Sequence, residues 1–174
     1  MIKKKKTEPA PRKPAAGSAA FDSGDALIRA WAINDRINAY LFETLDEGAW
    51  RAEPPGGKGR TIAAIAAHMH NVRVMWLKTT KIAGVPAQLD RFTVTRAQAV
   101  AAMAESTQEL GRVLSTAIAA NGRVRGFRPD VLSFFGYLVA HDGHHRGQIA
   151  AQARQVGFPL SAPTTIGMWE WGKR

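Results

Sequence analysis

The fold is decided by residues 130–156, which read DVLSFFGYLVAHDGHHRGQIAAQARQV. Asp130 is a typical helix N-cap, and the segment that starts at Gly157 contains a glycine and a proline that end a helix. One face between them carries apolar side chains at helical spacing: Phe134, Leu138 and Ile149. The pattern predicts a helix from Val131 to about Val156 that buries one face against other elements.

Three earlier segments also predict helices, and strand signals are nearly absent. These helices cover about residues 22–46, 61–81 and 95–121, and the last opens with a Thr95–Gln98 capping box. The stretch AGVPAQLDRFTV (83–94) is too broken for a helix and too long for a tight turn, so it can cross the end of a bundle. The sequence therefore predicts an all-α four-helix bundle with a long crossover between helices 2 and 3.

Composition narrows the classes of function. The 174 residues suit one domain, and we assign residues 22–174 to it. The chain has no cysteine, which excludes disulfides, cysteine-ligated metals and a thiol nucleophile of its own. No apolar run approaches the roughly 18–20 residues that span a bilayer, so we expect no membrane insertion.

Half of the net charge of +10 lies in residues 1–20, MIKKKKTEPAPRKPAAGSAA. We expect residues 1–21 to form a disordered Lys/Pro/Ala tail, because this composition has little apolar surface to bury. The lysines are not followed by the apolar stretch of a secretory signal, so we expect a cytoplasmic protein. Such a tail can attach loosely to nucleic acid or anionic lipid, or it can simply be solvated, and we favour the solvated state.

All five histidines lie on two of the predicted helices. On helix 4, His141 and His145 fall close to the centre of the apolar stripe, and His144 lies about 110° from it. On helix 2, His68 lies about 70° from the centre of the stripe and His70 about 130° from it. We therefore expect His68, His141 and His145 to converge, and the other two to point elsewhere.

Two histidines at i and i+4 lie on one helix face and can bind the same cation. With a third histidine from another helix, the fourth coordination position of the ion remains open for water or substrate. Three neutral nitrogens, with no thiolate and no carboxylate on the stripe, suit a divalent transition metal. We predict Zn or Ni, with Co or Fe as alternatives. The competing interpretation is that these histidines are hydrogen-bonded core residues.

Three segments together resemble the DinB (damage-inducible) family of four-helix-bundle metalloproteins: 61–77 TIAAIAAHMHNVRVMWL, 141–160 HDGHHRGQIAAQARQVGFPL and 168–173 MWEWGK. The most specific element is His-x-x-x-His-Arg-Gly-Gln at 141–148, with an upstream histidine, His68, eight residues before Trp76. The resemblance spans about residues 22–174. It implies metal binding by His68, His141 and His145, a long crossover and frequent homodimers. Some relatives are thiol-dependent transferases or isomerases that use bacillithiol, mycothiol or a related thiol.

Other residues near this motif have open interpretations. Arg146 can pair with a carboxylate or a substrate anion, and Gln148 can orient a histidine, but both can equally be surface groups. Asp142 can accept a histidine N–H or pair with Arg146. Two further pairs of residues, two glycines and two tryptophans, are expected to pack against another part of the protein. We expect a helix or a second subunit against Gly143 and Gly147, and we favour a bundle cap over a lid for Trp169 and Trp171.

The leading hypothesis is a metal-dependent enzyme that activates water or a low-molecular-weight thiol, a thiol transferase or a hydrolase acting on a small molecule. No catalytic side chain is assigned beyond the metal ligands. The first alternative is a non-catalytic metal-binding or small-molecule-binding bundle of a stress response. A nucleic-acid-associated protein ranks last, because only the basic tail favours it.

Overall fold

The computed structural model describes residues 20–174, which form six α-helices and no strand. The four long helices are α1 (Ser23–Thr44), α3 (Ile62–Thr80), α4 (Arg96–Ala119) and α5 (Val131–Gln155). The short ones are α2 (Glu47–Trp50) and α6 (Ala162–Gly167). The predicted all-α bundle is confirmed, with helix ends that agree to within one turn. The predicted basic tail lies outside the described residues apart from positions 20 and 21, and the assignment of 22–174 to one domain stays a prediction.

The long helices begin where side chains cap them. Asp22 accepts hydrogen bonds from two backbone N–H groups of the first turn of α1, and Thr61 accepts one at the start of α3. At α4, Thr95 and Gln98 form the reciprocal capping box that the sequence predicts. Asp130 accepts the N–H of Ser133 at the start of α5 at 2.9 Å. Each such cap stabilises the fold by about 1 kcal/mol, so local sequence fixes these four starts.

Two apolar clusters occupy opposite ends of the bundle and define the helix directions. The first joins the end of α1, the starts of α3 and α4 and the end of α5 through buried residues such as Phe42, Ile65, Ala99 and Ile149. The second joins the opposite ends of the same helices through residues such as Trp31, Leu77, Leu114 and Phe134. Helices α1 and α5 therefore run in one direction, and α3 and α4 run in the other.

The connection 81–95 returns along α3, because α3 and α4 are parallel. Asn71 holds it in place: its side chain accepts from Leu89 N and donates to Leu89 O, both at 2.9 Å. This is the long crossover between the second and third long helices that the sequence predicts. Around the bundle, α5 packs against both α1 and α3. Among residues 20–174, no helix is both long enough and apolar enough to cross a bilayer.

Candidate metal centre

Three histidines meet where α3 and α5 pack together. His68 of α3 and His141 and His145 of α5 each offer a ring nitrogen, and these nitrogens all lie within 4.8 Å of one another. The Nε2 atoms of His141 and His145 are 3.1 Å apart. Two nitrogens bound tetrahedrally at about 2.1 Å from one ion would be separated by about 3.4 Å. The pair is therefore already close to the spacing that a single cation requires.

Access to the cluster differs among its members. His145 is buried, with 4% of its surface exposed, whereas His68 and His141 are half-buried. The His68 ring lies 4.8 Å from the His145 ring and 5.5 Å from the His141 ring, measured between centroids. Tyr137, one turn before His141 on α5, stacks on its ring at 6.1 Å. The cluster is thus closed on its His145 side and only partly exposed to solvent at the other two rings.

Gln148 orients His145. Its Oε1 lies 2.7 Å from Nδ1 of His145, so Nδ1–H donates to the amide oxygen. The proton is then held on Nδ1, and the Nε2 lone pair points toward His141. Hydrogen bonds of this kind fix the tautomer of metal-binding histidines and raise their basicity as ligands.

The electrostatics of the cluster keep the imidazoles of His68 and His145 neutral. Burial, reinforced by the charge of Arg60, lowers the pKa of His68 to about 4. Burial also lowers the pKa of His145, although the hydrogen bond to Gln148 opposes the shift. Near neutral pH both rings therefore carry free lone pairs, the form that binds a cation.

The other two histidines stay outside the cluster. His144 is exposed on α5. His70 lies 2.8 Å from Ala87 O through Nε2 and 3.2 Å from Ser106 Oγ through Nδ1. Its complete burial was not expected from its position about 130° from the apolar stripe. The reason is the crossover, which returns over that face of α3 and covers it.

A buried polar network lies directly behind the histidines. Oδ2 of Asp142 accepts hydrogen bonds from Arg73 at 2.7 Å, from Asn34 at 2.6 Å and from Asn38 at 2.9 Å. Arg146 donates in turn to the side-chain oxygens of Asn34 and Asn38, at 2.9 and 2.7 Å. The two asparagines of α1 thus bridge the two charged residues that follow His141 and His145 on α5. Arg73 connects the same carboxylate to α3, the helix of His68.

The network corrects several expectations. Asp142 is a carboxylate on the buried side of α5, where none was expected, and its partner is Arg73 rather than Arg146. Its Oδ1 lies 3.9 Å from His141 Nδ1, which is too far for a hydrogen bond. Arg146 contacts amide oxygens instead of a carboxylate. Although burial opposes ionisation of Asp142, the Arg73 guanidinium and the hydrogen bonds it receives hold its pKa well below the usual range.

Arg73 is the residue of this network that sequence reasoning missed most completely. It is 1% exposed and also donates to Asp35 and Thr107, at 3.0 and 2.6 Å. Its position in the helix could have predicted its burial, because it lies four residues after Met69 and four before Leu77, which are both buried. A charge in that position needs an opposite charge across the core.

The C-terminal tryptophans lie on another flank of α5. Trp169 and Trp171 line a cleft with Gly143 and Gly147, and Gly143 is about 200° around the helix from His141. The tryptophans therefore do not cover the histidines. A Cβ atom built on Gly147 meets nothing within 4 Å, so no other backbone of the described part of the chain packs there. A second subunit at this edge stays a prediction.

The fold and the cluster together define an all-α bundle with a candidate three-histidine metal centre. The family model of the DinB superfamily matches residues 32–149, and the chain belongs to this superfamily. The matched range includes all three clustered histidines, and it confirms the resemblance drawn from the sequence motifs. No curated protein matches the sequence.

Proposed function

We propose that this DinB-superfamily protein is a metal-dependent enzyme that activates water or a low-molecular-weight thiol. His68, His141 and His145 would hold a divalent transition metal. The observation that carries the proposal is the convergence of their ring nitrogens within 4.8 Å from two helices.

The donor set fits such an ion. Three neutral imidazoles suit Zn or Ni, with Co or Fe as further candidates. The carboxylate of Asp142 is engaged through Oδ2 by Arg73 and two asparagines, so we do not count it as a fourth ligand. When bound, a divalent ion there would act as a Lewis acid that promotes loss of a proton from water or a thiol near neutral pH.

The openness of the site favours catalysis over a structural role. Structural zinc sites have four protein ligands, whereas catalytic sites have three and an exchangeable position. The described residues supply three histidines here, and His68 and His141 remain accessible from solvent. Because the chain has no cysteine, a transferred thiol must enter as a cosubstrate.

The side chains around the cluster support this role. Gln148 holds His145 with its Nε2 lone pair toward the centre. Asp142 and Arg146 fasten the ligand helix α5 to α1 through Asn34 and Asn38. Arg60, exposed just before α3, adds positive charge that favours an anionic nucleophile or substrate.

Two further parts of the proposal concern the setting of the protein. We place it in the cytoplasm, since a chain without cysteine is compatible with a reducing compartment. We also propose a homodimer, which rests on the family resemblance. Sedimentation velocity over a range of protein concentrations tests the second statement, and a monomer throughout would refute it.

The catalytic claim is tested by comparing the metal-loaded protein with two variants. Thiol transfer is followed with glutathione, mycothiol and bacillithiol and an electrophilic aryl chloride, and hydrolysis with 4-nitrophenyl acetate. We expect at least one reaction to depend on added metal, to disappear in His68→Ala and to persist in the matched control His144→Ala. Equal rates for the loaded wild type and His68→Ala in every assay would contradict the proposal.

A further inference from the structure

A cleft lies between α5 and the C-terminal segment, on a flank of α5 that faces away from His141. Gly143 and Gly147 form its floor, and Met168, Trp169 and Trp171 line its wall. Its volume is about 240 Å³. Clefts that hold drug-sized molecules measure roughly 300–1,000 Å³, so this one is suited to a ligand of about one ring with a functional group.

The floor of the cleft is not filled by the protein. A Cβ atom on Gly147 would meet nothing within 4 Å, and one on Gly143 would meet only Arg146 Nη2, at 3.7 Å. Glycine in a helix interior is unfavourable relative to alanine, and no close packing within residues 20–174 explains these two. Trp169 beside them has 78% of its surface exposed. A flat apolar group bound here would cover part of the exposed indole.

The charge in the cleft comes from Arg146. Its Nη1 donates to Asn34 and Asn38, and it forms no ion pair with a carboxylate of the described residues. Its Nη2 lies at the edge of the floor beside Gly143. An anion in the cleft would supply the missing partner, and Arg suits carboxylates in particular.

We propose that this cleft binds a small organic anion, with a flat apolar ring against Trp169 and Trp171 and a carboxylate against Arg146. The site is separate from the three-histidine cluster, and it does not depend on the proposed enzymatic function. It is an alternative to a second subunit against Gly143 and Gly147, so the proposed homodimer would use another surface. Indole faces give a flat ring its favoured packing surface, and the guanidinium gives the anion its orientation.

The test uses the full chain with benzoate as the probe and benzamide as its neutral counterpart. Tryptophan fluorescence and titration calorimetry measure binding of each. We expect saturable binding of benzoate that is at least about tenfold tighter than that of benzamide, the difference a charge-assisted hydrogen bond makes. Equal affinities, or no saturable binding of benzoate, would overturn the proposal.

Two leucine substitutions on α5 make the test specific. Gly147→Leu fills the floor of the cleft, whereas Gly136→Leu lies outside it on the same helix, where an added Cβ also meets nothing within 4 Å. We expect Gly147→Leu to abolish benzoate binding and Gly136→Leu to retain it, with neither variant melting below the wild type. Undiminished binding by Gly147→Leu would refute the site. A dimer that Gly147→Leu dissociates would also refute it, because the cleft would then be an interface between copies.

Discussion

Arg73 makes several hydrogen bonds in the buried network, and we predict that Arg73→Met destabilises the fold severely. The guanidinium is almost completely buried and donates to Asp142, Asp35, Thr107 and the carbonyl of Met103. Methionine approximates the length of the side chain but donates no hydrogen bond. Two carboxylates, one of them 1% exposed, would lose their charged partner.

The expected loss in the free energy of unfolding follows from leaving a buried carboxylate without an opposite charge. Removing one partner of a buried ion pair costs about 3–5 kcal/mol, because the remaining ion has neither water nor an opposite charge. Asp142→Asn removes the charge and keeps the shape, so we expect it to cost about 2–3 kcal/mol. In the double variant the buried carboxylate at position 142 is gone. The sum of the single losses should therefore exceed the loss in the double variant by about 1–3 kcal/mol.

Urea unfolding of the four proteins, followed by circular dichroism at neutral pH, measures these free energies. Lys78→Met, an exposed position on the same helix, serves as the control and should change stability by less than about 0.5 kcal/mol. A loss below about 1 kcal/mol for Arg73→Met would show that the buried carboxylates do not depend on this guanidinium. Strict additivity of the two single substitutions would show that Arg73 and Asp142 do not stabilise each other.

Three further outcomes follow from individual contacts. Gln148→Ala should weaken metal affinity about 10–100-fold without lowering the apo melting temperature, because it frees the His145 ring; unchanged affinity would contradict this role. The low pKa of Asp142 means that its contribution to stability is present above about pH 4 and is lost as the pH falls further, so acid unfolding of Asp142→Asn should show a shallower pH slope than the wild type. Asn71→Ala removes two hydrogen bonds to Leu89 and should cost about 1–2 kcal/mol in urea unfolding; no loss would mean that the crossover is held by other contacts.

The positions of the helices could be predicted from the sequence because they depend on interactions between residues close together in the chain. The caps at Asp22, Thr61, Thr95 and Asp130 each act within three residues, so a single sequence contains both partners. The direction of the clustered histidines was also accessible, since residues at i and i+4 share a helix face whatever surrounds the helix. To predict that His68 lies close to His141 and His145, one further assumption was enough, namely that α3 and α5 pack against each other.

The buried network was not accessible in the same way. Arg73, Asp142, Asn34 and Asn38 lie on three helices, and their partners are 69 to 108 residues apart in the chain. A periodicity argument treats each as a polar interruption of an apolar face, and it contains no rule for pairing them. The burial of His70 could not be predicted for a related reason. The segment that covers it is the connection 81–95, whose path follows from the parallel arrangement of α3 and α4.

The three-histidine centre is tested most directly by the metal content of the untagged protein after reconstitution and removal of free ions. Elemental analysis is made on the wild type and on His68→Ala, His145→Ala and His144→Ala, with folding of each verified by circular dichroism. We expect about one equivalent of Zn, Ni, Co or Fe in the wild type and in His144→Ala, and a loss in the other two variants. No metal in the folded wild type, or a full equivalent in His68→Ala and His145→Ala, would contradict the three-histidine centre and leave these residues as core histidines.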